Sequence, residues 1–259
     1  MSDEHGAAIE RAFSQQAQAF EDRRFNRFFA ADVEWLFAHL ELRPELLGLD
    51  VAAGTGHLAR ALAPKICSVV ALDATTAMLE TGRAAAEEAG VRNVVFQRGD
   101  AAALPFLDAS FDVVVSRFAV HHFEQPRVPV GEMARCLRPG GRLMVADLVS
   151  SDDPPTAERQ NELERLRDPS HTRMLRAAEL ADLLASVGDI VAVETRDLDR
   201  PLGPWLEQTE ASGDVVERVQ AALRAELAGG PPTGFRPREE GGELRFVHTL
   251  VAVTAGRPA

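Results

Sequence analysis

LGLDVAAGTGHLARA, residues 47–61, opens as an apolar run, breaks into Ala52-Ala53-Gly54-Thr55-Gly56 and continues as the start of a helix. Strand, tight turn and helix in that order form the first unit of a parallel α/β sheet. Gly54-x-Gly56-x-x-Ala59, with Asp73 ending the next apolar run, also fits the dinucleotide fingerprint. The loop alone therefore leaves two nucleotide cofactors open, one held by its pyrophosphate and one without phosphate.

Outward from this loop the same texture repeats. SVVALD (68–73), NVVFQ (93–97), FDVVVS (111–116) and RLMVADLV (142–149) read as further strands, separated by helix-like stretches at 57–64, 75–89 and 127–137. Strands alternating with helices at this spacing predict a parallel sheet covered on both faces, with ligands gathering at the carboxyl ends of the strands.

Beyond Asp147 the pattern loosens. SDDPP at 151–155 is a polar breaker, 156–167 a charged helix and RDPSHTR (167–173) a loop before the helix RAAELADLLASVG. IVAVETRD (190–197) and ELRFVHTLVAV (243–253) supply two more strands, the second alternating so that Leu244, Phe246, His248 and Leu250 share a face. Between them lies an insertion, 198–240, with a helix whose apolar stripe is Val215, Val216, Val219, Ala222, Leu223 and Leu227. Residues 4–42 read as helical, with Phe13, Phe20, Phe25, Phe28, Phe29, Trp35 and Leu36 scattered among charges. The expected division is a helical cap over 1–42, a cofactor-binding core over 43–150, and the remaining sheet over 151–259 with a lid at 198–240.

Composition narrows the function classes. With 28 Lys and Arg against 40 Asp and Glu among 259 residues, the net charge is −12, a sign that repels nucleic acid and anionic membrane. Cys67 and Cys136 stand far apart with no CxxC or His/Cys cluster, which argues against a disulfide framework or structural zinc. The N-terminal MSDEHGAAIERAF carries acids where a secretory signal needs a basic and then an apolar region, so a soluble cytoplasmic protein is expected.

Three carboxylates at successive strand ends shift the balance between the cofactors, although the role of Asp73 is common to both. Asp50 precedes the glycine loop, where it suits a cationic amino group better than a pyrophosphate. Asp73 suits two ribose hydroxyls. Asp100, followed by the Ala101 N–H, suits the amino group and ring nitrogen of adenine. Acid at each strand end describes a site for a positively charged nucleoside.

At this point LDVAAGTGHLA, VVALDATTAML, QRGDAAALPF, FDVVVSRFAVHHF and MARCLRPGGRLMVADLV together resemble the ordered motifs of class I S-adenosylmethionine-dependent methyltransferases. The texture is that of the methyltransferase type 11 group, which includes ubiquinone and menaquinone C-methyltransferases and natural-product enzymes. The resemblance covers roughly residues 47–150. It implies a Rossmann-like, mostly parallel sheet of seven strands with helices on both faces, the last strand antiparallel beside the fifth. It further implies S-adenosylmethionine as cofactor: Ala52, Gly54 and Gly56 admitting its methionine part, Asp73 with Ala74 at the ribose, Met78 on the adenine, Asp100 with Ala101 at its edge, and Ser116 and Arg117 near the methionine end. Glycine is commoner in the family where Ala52 stands.

The sulfonium methyl is already activated, so a base is needed only where the acceptor must lose a proton, as a hydroxyl must. The candidates are His121 and His122, with Asp147 near the end of the neighbouring strand to orient one of them and raise its basicity. Either ring could instead serve structure at the strand-to-helix turn. His171 stands on a charged loop as a staple or a substrate contact; His248 reads as a sheet residue, and His57 as close to the cofactor without a chemical role. The chain has no tyrosine, so the aromatic wall of any pocket comes from Phe or Trp. The expected function is methyl transfer to a small molecule, a hydroxyl of a natural product or metabolite first, nitrogen or carbon next. The alternative is an enzyme of the same fold that retains the cofactor without methylating, such as a cyclase. The Phe-rich arm and the insertion point to a partly apolar acceptor.

Overall fold

The computed structural model describes residues 3–22 and 33–258. Its strands are β1 (Leu47–Val51), β2 (Ser68–Asp73), β3 (Val94–Arg98), β4 (Phe111–Arg117), β5 (Leu137–Val149), β6 (Asp189–Pro201), β7 (Arg238–Glu240) and β8 (Glu243–Gly256). Seven of them form one sheet in the order β3-β2-β1-β4-β5-β8-β6, with the three-residue β7 added against β8. The first five run parallel, and β8 lies antiparallel between β5 and β6. This is the Rossmann-like arrangement expected. The order reverses between β1 and β4, so their carboxyl ends open a crevice there.

Helices are α1 (Asp3–Gln16), α2 (His57–Leu62), α3 (Thr76–Glu88), α4 (Arg127–Cys136), α5 (Pro154–Arg167), α6 (Ala177–Ala185), α7 (Leu202–Glu207) and α8 (Gly213–Leu227). Alternation along the strands feeds two cores. Val114 and Val145 face Val130 and Met133 of α4 and Leu180 and Leu184 of α6. Val113, Val115 and Met144 face Leu58 and Leu62 of α2 and Phe37 and Leu40 from the turn before β1. Apolar residues on both pleats explain why β4 and β5 read as near-continuous apolar runs.

A third core belongs to the lid. Trp205, Leu206, Val219, Leu223, Phe235 and Phe246 pack together there. Because β6 continues to Pro201, residues 198–201 belong to the sheet and the insertion proper starts at Leu202. The stripe on α8 is narrower than expected: Val219 and Leu223 are fully buried, whereas Leu227 in the final turn is exposed. Helix α5 begins where the polar breaker ends, because the Asp153 carboxylate accepts from Thr156 N and Oγ1 at 3.0 and 2.6 Å and two prolines occupy the first helical positions.

At the N-terminus α1 stops at Gln16, and residues 34–37 form a 3₁₀ turn that buries Leu36 and Phe37. The continuous helical reading of 4–42 is thus corrected to a helix and a separate turn; Phe25, Phe28 and Phe29 lie outside the described residues. Among the described residues no helix is long and apolar enough to cross a membrane.

Candidate active site

The loop after β1 owes its shape to positive φ at Ala52 (53°), Gly54 (56°) and Gly56 (74°). The substitution of alanine for the family's usual glycine is therefore not neutral: Ala52 holds a left-handed conformation that costs an L-residue roughly 1–2 kcal/mol. Two glycines keep the loop against its neighbours. A Cβ on Gly56 would meet the Phe96 ring at 2.8 Å, and one on Gly82 of α3 would meet the Thr55 carbonyl oxygen at 2.3 Å.

The three carboxylates converge at this loop. Asp73 accepts from Gly54 N and Thr75 N, both at 2.8 Å, one bond to each oxygen. Burial raises its pKa against those bonds. Asp50 is 1% exposed, and its Oδ2 accepts from Ala59 N at 2.9 Å. Burial pushes Asp50 up to about 7 despite the nearby Arg117. The same burial brings Arg117 down to about 10, opposed by Asp50. Asp100 accepts from Ala102 N at 2.8 Å.

One cavity is walled by Asp50, Ala52, Gly54, Asp73, Ala74, Met78, Asp100, Ala101 and Arg117. Two residues expected at the cofactor have other work. Ser116 is fully buried and spends its hydroxyl on the Val51 carbonyl at 2.8 Å, bridging the ends of β4 and β1. Gly56 serves close packing against Phe96.

The cavity continues to the histidines after β4. Parallel pairing sets Arg117 opposite Ala146, which puts Asp147 beside the 3₁₀ turn Val120–His122. His121 Nδ1 lies 2.6 Å from Asp147 Oδ1, and Asp147 Oδ2 accepts from His121 N at 3.1 Å. Since a carboxylate only accepts, Nδ1 carries the proton and Nε2 is the basic nitrogen. Burial opposes an imidazolium here, but the charge and hydrogen bond of Asp147 outweigh it and hold His121 above the ordinary histidine value. The same pairing keeps Asp147 below the usual carboxylate range, against burial.

His122 is different in kind. Its Nδ1 lies 3.0 Å from the Ser170 carbonyl, and burial together with the neighbouring His121 brings its pKa down to about 4. It is a neutral ring that pins the 168–173 loop. His171 on that loop is buried, donates from Nε2 to Asn161 Oδ1 at 2.9 Å, and falls to about 3 through burial and His121. Its ring lies 5.3 Å from that of His121, and it too lines the cavity. Thr172 completes the staple, with its N and Oγ1 both donating to His121 O at 2.9 and 2.7 Å.

The roof comes from elements the sequence described only in outline. Ile9, Phe13 and Gln16 of α1, with Phe20 just beyond it, cover the cofactor side. Glu21 ties this arm to α2, 2.5 Å from Arg60 and 3.2 Å from His57, whose Nε2 also contacts the Phe20 carbonyl at 2.9 Å. Glu164, Arg167, Arg200, Trp205 and Gln208 line the other end. Sequence reasoning missed these because α5 reads as a charged surface helix, whereas Gln160, Asn161 and Glu164 are buried. His248 is wholly buried among Trp205, Phe235 and Phe246, with Nε2 2.8 Å from Glu164 Oε1. Cys67 and Cys136 are both free thiols.

Residues 49–145 match the family described as "Methyltransferase domain". YcgJ of Bacillus subtilis, described as an uncharacterized methyltransferase, is 42% identical over 166 residues, 63% of this chain and 64% of YcgJ. The crystal structure of YcgJ superimposes with a TM-score of 0.77 at 30% identity, covering 87% of this chain and 97% of that one. A demethylmenaquinone methyltransferase of Clavibacter sepedonicus is 42% identical over 106 residues, 41% of this chain and 42% of that protein. The sequence matches thus span less than two thirds of either relative's own length. The fold and these matches together define a class: the chain belongs to the class I S-adenosylmethionine-dependent methyltransferases.

Proposed function

We propose that this protein methylates a hydroxyl group of a small molecule, with His121 as general base and Asp147 as the group that orients it. S-adenosylmethionine, the cofactor of the family, supplies an electrophilic methyl on a sulfonium. The residues present suit that group: around the glycine loop the cavity offers carboxylates at three strand ends, the Arg117 guanidinium and backbone N–H groups, a donor set fitted to a cationic amino acid joined to a nucleoside. Asp50 and Arg117 would hold the amino acid part, Asp73 the ribose, Asp100 with Ala101 the adenine edge, and Met78 its face.

The observation that carries the reading is the pair formed by His121 and Asp147 at 2.6 Å, with His121 lining the same cavity as the three carboxylates. His121 Nε2 takes the proton from the acceptor hydroxyl, and Asp147 stabilises the imidazolium that results. His171, beside His121, positions the acceptor against it. The arm and the lid keep water from competing with the acceptor.

Calorimetry with S-adenosylmethionine, S-adenosylhomocysteine and NAD tests the cofactor, and binding of NAD alone would sink the reading. Formation of S-adenosylhomocysteine with hydroxylated acceptors tests the reaction; transfer that persists undiminished in His121→Asn would remove the base.

A further inference from the structure

His171 presents a nitrogen that its own surroundings leave unused. The Asn161 side chain beside it is 2% exposed and locked at both ends: Nδ2 donates to the Ala157 carbonyl at 2.9 Å, and Oδ1 accepts from Met174 N at 2.7 Å. The atom 2.9 Å from His171 Nε2 is therefore an amide oxygen, so Nε2 carries the ring proton and Nδ1 keeps a lone pair. Among the described residues that lone pair meets no donor, and the ring lines the cavity. Burial and the neighbouring His121 bring the pKa of His171 down to about 3, so Nδ1 stays an acceptor at neutral pH.

A second acceptor is fixed beside it. His121 turns Nδ1 to Asp147 and keeps Nε2 as its basic nitrogen, and the two rings lie 5.3 Å apart with 33° between their planes. Backbone holds that spacing: Thr172 N and Oγ1 both donate to the His121 carbonyl, and His171 N donates to the Asp168 carbonyl at 3.0 Å. A single hydroxyl has one proton and serves only one of the two nitrogens. A molecule bound at His121 through one hydroxyl alone would leave the His171 lone pair buried and unmatched, which costs free energy.

We propose that the methyl acceptor is an ortho-diphenol, with its reacting hydroxyl at His121 Nε2 and the neighbouring hydroxyl donating to His171 Nδ1. Rings this close call for two donors on adjacent atoms, and a planar ring carrying them suits a cavity walled by Phe13, Phe123, Met174 and Leu198. A phenol also gives up its proton to an imidazole more readily than an alkanol does. The reacting oxygen loses its proton to His121 and gains the methyl, whose former bonding pair stays on the sulfur of S-adenosylhomocysteine. The second hydroxyl keeps its proton. This rests on the assignment of the cavity to methyl transfer, and the test separates the two.

Two replacements split the functions of the ring. His171→Gln keeps a donor in reach of Asn161 and lacks the acceptor, whereas His171→Asn sets an amide oxygen near the Nδ1 position and gives up the donor. Each protein, saturated with S-adenosylhomocysteine, is titrated calorimetrically with 2,3-dihydroxynaphthalene and with 2-naphthol. The unmodified protein is expected to bind the diol roughly tenfold more tightly, the worth of one buried hydrogen bond. His171→Gln should abolish that preference and His171→Asn should retain part of it, with S-adenosylhomocysteine affinity unchanged in both as the check on folding. Equal binding of the two probes, binding of neither, or a preference that survives His171→Gln overturns the diol assignment while the methyltransferase reading stands. Failure of S-adenosylhomocysteine to bind overturns that reading and the diol assignment with it.

Discussion

His121 Nδ1 and Asp147 Oδ1, 26 positions apart in the chain, stand 2.6 Å from each other at the ends of two adjacent parallel strands. The carboxylate also accepts from the backbone N–H groups of His121 and Leu148, at 3.1 and 2.7 Å, so it fixes both the ring and the turn that carries it. Removing the ring and removing its partner should therefore have different consequences.

His121→Asn should lower kcat by roughly 10²–10⁴-fold, the usual worth of a positioned base. S-adenosylhomocysteine affinity should change little, because the ring is not among the groups assigned to the cofactor. Steady-state kinetics beside calorimetry make the comparison, and equal losses in both would assign His121 to structure.

The pH profile follows from the raised pKa of His121. A base must be neutral to act, so kcat should rise with pH and level off above a pKa higher than 6.5, the ordinary histidine value. Asp147→Asn removes the carboxylate charge that raises this pKa and should move the limb toward lower pH while reducing its plateau. An unmoved limb would mean that another group titrates.

Asp50 makes a second pH prediction, with the opposite origin. Its folded pKa is raised from 3.8 to about 7, so the folded apoprotein holds a proton that the unfolded chain has released. The stability attached to this group is present below the unfolded value and is lost as pH rises toward and through the folded one. Denaturant melts between pH 4 and 8 should show that decline, weakened in Asp50→Asn. A cationic ligand favours the ionised form, so S-adenosylmethionine should bind more tightly as pH rises through the same window. Calorimetry in buffers of different ionisation enthalpy should detect the released proton.

Gly82→Ala tests the packing of the loop. Its Cβ would fall 2.3 Å from the Thr55 carbonyl oxygen, and backbone cannot yield as a flexible side chain does. Overpacking of this kind costs about 1–3 kcal/mol, and part of that should appear as weaker S-adenosylhomocysteine binding because the displaced residue belongs to the loop. Thermal melts and calorimetry of the one variant measure both.

The arm over the cofactor side is tied by Glu21 to Arg60 and His57. Glu21→Ala takes this carboxylate from Arg60 and His57, whose side chains are 14% and 11% exposed, so it should lower the melting temperature modestly and speed dissociation of S-adenosylhomocysteine severalfold. Stopped-flow displacement reads the rate; an unchanged rate would make α1 a passive cover.

Most of the sheet was legible in the sequence. β1 and β2 match the expected strands residue for residue, because local burial on both faces writes continuous apolar runs and the glycine loop marks where one ends. β7 and α7 left no such mark: one is three charged residues and the other six residues long, too short for periodicity to register. Glu164 was hidden for the opposite reason. Its helix is polar nearly all round, and only the body of the protein folded against it decides which polar face is inside.

By itself, then, the sequence determined the Rossmann-like core, the carboxylates at three strand ends and the cofactor class, because each is a local property of a strand, a turn or a strand end. The tertiary structure alone decided that His121 and not His122 meets Asp147, that Ser116 bridges strands, and that Arg200 and Trp205 line the cavity. Those outcomes depend on strand register and on the seating of a lid, and register and seating are set by contacts between segments far apart in the chain.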